Sequence, residues 1–161
     1  MATLIDSIQP KGWGSSDPTA SLQKVQHDYG VAFPGEYCDI LKVTNGGKMT
    51  CNIHLYAVEK DISTGYAIFE FISYGDKVRW RSLEKSPNLI DEYVVGGPVR
   101  YFPIAATSAD EYICLDYLTN DPMVCLISFG TRYLLADNFA SFVEKVESAI
   151  QGWGGCGPVG M

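Results

Sequence analysis

An α+β domain with a mainly antiparallel sheet is what this sequence predicts, on three observations. Two segments of helical periodicity occupy the first 45 residues, runs of alternating or continuous apolar residues fill the middle, and one amphipathic helix closes the chain. Helices at the two ends with strands between them place the helices together on one face of the sheet.

Residues 1–15 read as an irregular arm, broken by Pro10, Gly12 and Gly14. A first helix begins at "SSDPT". Ser16 or Asp17 can cap it, and Pro18 suits a first turn because its missing N–H needs no partner there. Leu22, Val25 and Tyr29 fall at helical spacing, and Gly30 supplies a left-handed stop. The second helix opens at Pro34, with Glu36 near its positive end and Tyr37, Cys38, Ile40 and Leu41 as its apolar stripe. Thr44 and Asn45 close it, and Gly46 or Gly47 takes a positive φ. Phosphate-cradling loops place glycines before a helix. Asn45-Gly46-Gly47 follows one, so it reads as a stop rather than a nucleotide site.

From residue 48 the pattern changes. "TCNIHLYAV" alternates, with Cys51, Ile53 and Leu55 against Asn52, His54 and Tyr56, and the β-branched and aromatic content of "YAIFEFISYG" favours a strand. Residues 80–93 are consistent with a short helix interrupted at Ser86-Pro87. "PVRYFPIAA" leads into "EYICLDYL", and the Asn-Asp-Pro loop before "MVCLISFG" reads as a hairpin. The last helix runs from Asp137 to Ile150, capped by Asp137 or Asn138, with Phe139, Phe142, Val143, Val146 and Ile150 on its apolar face. The domain thus spans residues 16–150, and residues 151–161 form a Gly-rich tail. The Gly-Trp-Gly triplet at 12–14 recurs at 152–154 without the sustained period of a repeat.

A chain of 161 residues is the size of one domain. Folding at that length buries roughly 70% of the unfolded surface, so the core needs neither metal nor disulfide. Hydrophobic residues make up 47% and charged residues 19%, a globular rather than a disordered composition. The net charge of −7 argues against a nucleic-acid partner and for a basic protein partner. Cys38, Cys51, Cys114, Cys125 and Cys156 are odd in number and irregularly spaced, which suits a reduced cytoplasmic chain. The start lacks the pattern of a secretory signal, and no stretch approaches the roughly 20 apolar residues of a membrane span, so no membrane association is expected.

Chemistry is thinly represented. A cysteine nucleophile needs a neighbouring base, and the two histidines are His27, on the polar side of its helix, and His54. Cys51 and His54, three apart on a strand, point to opposite faces and cannot pair or start a zinc site. Cys114 and Cys125 face each other approximately if the hairpin forms, as reduced core residues. The expectation is no catalytic residue, no metal and no cofactor. The carboxylates Asp110 and Glu111 before one hairpin strand, and Asp121 at its turn, join Tyr112 as a candidate acidic recognition surface at one hairpin end.

Two blocks together resemble the SUKH superfamily, which includes the Smi/Knr-type cell-wall assembly regulators and many bacterial immunity proteins. The first reads Gly30, Phe33-Pro34, Tyr37, Leu41 and Asn45-Gly46-Gly47. The second reads Pro103-Ile104-Ala105 and Ile113-Cys114-Leu115-Asp116, followed by Ser141-Phe142 in the closing helix. The match runs in order over about residues 17–150. Two departures stand out: Ser108-Ala109-Asp110-Glu111 replaces the glycines that often precede the second strand, and residues 57–100 match no family feature.

The resemblance implies a SUKH-like α+β fold and a binding module without catalytic residues. Bacterial members are similar to antitoxins that neutralise a cognate toxin domain, often a nuclease, from polymorphic or contact-dependent toxin systems. A cytoplasmic immunity protein, monomeric or weakly dimeric, is therefore the leading expectation, with Asp110, Glu111, Tyr112 and Asp121 as candidate toxin contacts. A regulatory scaffold of the cell-wall-regulator type is the second reading. A small hydrolase using Cys38 or the 110–121 carboxylates is the third.

Overall fold

The computed structural model describes residues 3–10, 18–50, 54–55, 66–74, 82–107 and 111–152. A 3₁₀ turn (Ile5–Ser7) leads into β1 (Ile8–Pro10), α1 (Pro18–Tyr29), α2 (Gly35–Thr44), β2 (Gly47–Met49), β3 (His54–Leu55) and β4 (Tyr66–Phe71). A 3₁₀ segment (Leu83–Leu89) precedes β5 (Tyr101–Thr107), β6 (Tyr112–Asp116), β7 (Met123–Ser128), β8 (Thr131–Ala136) and α3 (Phe139–Gly152). The strands form one antiparallel sheet in the order β1-β2-β4-β5-β6-β7-β8, and β3 pairs the other end of β4. This is the α+β architecture expected from the sequence.

The three α-helices share one face of that sheet. Leu22 and Val25 of α1, Tyr37, Ile40 and Leu41 of α2, and Phe139, Phe142, Val146 and Ile150 of α3 belong to one buried cluster. Phe102, Ile104, Ile113, Leu115, Val124 and Leu126 meet them from the sheet. A run of edge-on aromatic contacts threads this core: Tyr29 to Phe102 at 5.6 Å, Phe102 to Phe33 at 5.0 Å, Phe33 to Tyr37 at 5.3 Å and Tyr37 to Phe139 at 5.4 Å. Such pairs add about 0.5–1.5 kcal/mol each beyond their buried area. The opposite face holds a small cluster of Ile90, Cys114 and Cys125. The two cysteines are direct cross-strand partners, as the hairpin register implied.

Local chemistry accounts for the element ends. Pro34 sits one residue before α2 rather than within it, and the Asn138 side chain accepts from Ser141 N–H at 2.8 Å to cap α3. At the end of α2, Asn45, Gly46 and Gly47 all have positive φ, not one glycine alone. Asn45 caps the helix through its N–H to Leu41 O, and its side chain accepts from Tyr74 N–H. Gly47 then enters β2 so close to β1 that a Cβ there would collide with Gln9 O. The triplet is a helix stop that doubles as a strand junction.

Three differences from the sequence reading have physical causes. Residues 5–10 are not an irregular arm: β1 pairs β2 at the sheet edge, Leu4 and Ile8 are buried, and Glu147 accepts from Leu4 N–H at 2.8 Å. Only three residues pair, too few to show a period. β8 was not anticipated. It follows a two-residue Phe129-Gly130 turn, and a bulge opposite Val124 and Cys125 breaks its alternation. The interrupted helix near Ser86-Pro87 is a continuous 3₁₀ segment through Pro87, docked by the Ser86 hydroxyl donating to Pro103 O. Pro103 is tolerated mid-sheet because the register shifts at its position. The caps Ser16 and Asp17, the strand over 50–58 apart from Thr50 and His54–Leu55, and most of the 151–161 tail lie outside the described residues.

Candidate functional site

The end of α1 and the loop after it form one wall of a cleft of about 850 Å³. Tyr93 and residues 96–99 form the second wall, and Tyr117, Thr119 and Asn120 of the β6–β7 turn form the third. Hydrogen bonds tie these walls together. Gln26 Oε1 accepts from Phe33 N–H at 2.7 Å, Tyr117 Oη donates to Ala32 O at 2.8 Å, and Tyr117 N–H donates to Arg100 O at 2.7 Å. The cleft is therefore preorganised, with Tyr29, Tyr93 and Tyr117 along it.

Beneath the third wall lies a buried carboxylate. Asp116 has no exposed side-chain surface and accepts from Arg100 Nε at 2.6 Å, Arg100 Nη2 at 3.3 Å and Arg132 Nε at 2.8 Å. Burial alone would raise its pKa, but the hydrogen bonds from Arg100 and Arg132 outweigh that and hold the carboxyl below its ordinary value. One side chain on β6 thereby clamps the entry to β5 and the start of β8. It fixes the point where residues 91–99 rejoin the sheet, which is the cleft's second wall.

The predicted recognition residues do not sit together. Glu111 precedes β6 and Tyr112 starts it, next to the Phe129 turn at one end of the sheet. Asp121 lies in the β6–β7 turn at the opposite end, about 13 Å away along the strand at the rise of an extended chain. One hairpin end cannot present all of them. Glu111 is half-buried, with Thr107 Oγ1 donating to its carboxylate at 3.2 Å, whereas Asp121 is exposed. Asp110 lies outside the described residues.

The signature residues are mostly architecture. Phe33, Tyr37, Leu41, Ile104, Ala105, Ile113, Cys114 and Leu115 are buried, and Gly30 alone among the first block lines the cleft. The residues missed from sequence were 93–99. The signal available was two adjacent valines, Val94-Val95, followed by Gly96-Gly97-Pro98, an apolar pair set on a turn.

The described thiols offer no activated nucleophile. Burial raises Cys38 despite the opposing pull of Lys42, raises Cys114 well above the ordinary value and pushes Cys125 up to about 12. Each stays protonated at neutral pH, the reverse of what thiolate catalysis requires. Among the described residues no cluster of three or more His, Cys, Asp or Glu is placed to hold a metal ion. No described helix is long and apolar enough to cross a membrane.

No curated protein and no solved structure matches the chain significantly. A family model does, over residues 18–145, from the first residue of α1 into α3. Its members serve generally as protein-binding immunity proteins or as regulators, so a protein partner is the general expectation for a member. With most of its length matched, the chain belongs to the SMI1 / KNR4 family (SUKH-1).

Proposed function

We propose that the protein is an immunity protein that binds and neutralises a cognate toxin domain, a nuclease in the reading favoured here, without chemistry of its own. The observation that carries this is the family match over residues 18–145. The site geometry supports it. The cleft is held by hydrogen bonds between its walls and lined with tyrosines, which suit protein contacts, and the described thiols are protonated rather than activated. The net charge of −7 complements the basic substrate groove of a nuclease.

The test is co-expression with the toxin domain encoded beside the gene. Protection of the host, with recovery of both chains in one complex, is the expected result. Host death with both proteins expressed and soluble would overturn the proposal. Recovery of wall-synthesis components in the toxin's place would move the protein to the regulator branch of its family.

A further inference from the structure

The cleft is bordered by apolar side chains that the fold leaves uncovered. Val94, Val95 and Leu118 are 72%, 81% and 61% exposed. Each adjoins cleft-lining residues in the chain: Tyr93 and Gly96 flank the two valines, and Tyr117 and Thr119 flank Leu118. They therefore stand at the rim. The valines are displayed by a closed turn, with Gly97 N–H donating to Val94 O at 2.8 Å and Gly96 at φ +82°. A glycine at that third turn position makes this the turn that needs a left-handed residue. Their exposure is built in, and two adjacent valines held out of the core by a turn are apolar surface available to a partner.

Charge narrows the occupant. Asp91 and Glu92, just before the valines, and Asp121, just after the lining residue Asn120, are exposed carboxylates around the same rim. The neighbouring cations already have acidic partners: Arg100 reaches the buried Asp116, and Lys24 pairs on the surface of α1 with Asp28 at 2.8 Å. The rim therefore presents apolar anchors within an acidic border.

Resting on the immunity reading, we infer that this rim, and not the Glu111 end of the sheet, is the docking surface, and that its occupant is a Lys/Arg-rich segment of the toxin domain carrying at least one apolar side chain. Val94, Val95 and Leu118 take the apolar side chain. Glu92, Asp91 and Asp121 face the basic ones, setting the association rate and its salt dependence.

The experiment is a backbone-amide NMR titration with a synthetic peptide alternating Lys or Arg with Leu, against a control with Glu and Asp as its charges. The basic peptide gives saturable shifts confined to residues 93–99 and 117–121, and the acidic one gives none. Val95→Ser/Leu118→Ser and Glu92→Lys/Asp121→Lys each weaken binding about tenfold or more, the loss expected on removing a hot spot, with unchanged thermal melts. Absence of saturable shifts, shifts centred elsewhere, or equal binding of both peptides overturns the inference. A parallel titration uses the inactivated toxin domain encoded beside the gene. Toxin binding that leaves the rim unshifted overturns the docking surface but keeps the immunity reading. Peptide binding at the rim without toxin binding does the reverse.

Discussion

Replacing Asp116 by asparagine changes the side chain by one charge and almost no volume, so it isolates the two-arginine clamp. Hydrogen bonds to a charged group contribute about 1.5–3 kcal/mol each. Two of the three here are short, at 2.6 Å and 2.8 Å, and the third is longer at 3.3 Å. Asparagine can accept from one guanidinium but turns its NH₂ toward the other, so one strong bond survives without its charge and one becomes donor against donor. The arginine side chains are 44% and 28% exposed, and water recovers part of that loss. The net expectation is a destabilisation of about 2–3 kcal/mol at pH 7. For a chain of this size that lowers Tm by roughly 4–12 °C.

The pH dependence carries an independent check. A carboxyl held below its unfolded value, about 3.9, contributes stability that is fully present above that value. The contribution is lost as pH falls through the folded value. Urea unfolding of both proteins at pH 7 and at successively lower pH should therefore show a gap that closes in acid. A gap under about 0.5 kcal/mol at pH 7, within the range of ordinary surface substitutions, would refute the clamp, as would one that persists unchanged below pH 3.

Other perturbations follow from the same geometry. Gly47→Ala places a Cβ against Gln9 O at φ +122° and should cost about 3 kcal/mol by urea denaturation; a loss under 1 kcal/mol would mean that β1 does not pair as described. Tyr37 is fully buried, and its hydroxyl has no hydrogen-bond partner among the described residues. Tyr37→Phe is therefore expected to be neutral or stabilising by up to about 1 kcal/mol, although Tyr37 is a signature residue, and a clear loss would reveal a bond. Phe129 is 96% exposed at φ +48°, so Phe129→Asn should raise stability by about 0.5–1 kcal/mol, read as a higher urea midpoint; no change would argue that the turn is unstrained. Cys38→Ser should leave toxin protection unchanged, and the Cys38 thiol should react with an alkylating reagent more slowly than a free thiol near pH 8; fast labelling would contradict its burial.

Most of the framework was legible where local chemistry and period agree. Pro18, Gly30 and the Asn45-Gly46-Gly47 stop announced α1 and α2, and the 3.6-residue spacing of Phe139, Phe142, Val146 and Ile150 announced α3. The central hairpin was legible because its apolar runs flank a turn-forming loop. β1 was hidden by its three-residue length and by Pro10, and β8 by a turn built on phenylalanine instead of the usual Asn-Gly. The site was harder to read because it is assembled by long-range contacts. Ala32 and Tyr117 are 85 positions apart, and nothing local to either marks the bond between them. The acidic residues were legible as charges but not as a surface, since which end of the sheet each occupies depends on strand register.

Neutralisation by binding has a direct signature in stoichiometry. The measurement is residual activity of a fixed amount of the cognate toxin domain against increasing amounts of this protein, after short and long incubations. A binder gives a linear fall with an end point at a fixed molar ratio, one to one for a monomer, independent of incubation time. Complete inactivation by substoichiometric protein, deepening with time, would show turnover and contradict a purely binding role; toxin activity untouched at molar excess would contradict immunity itself.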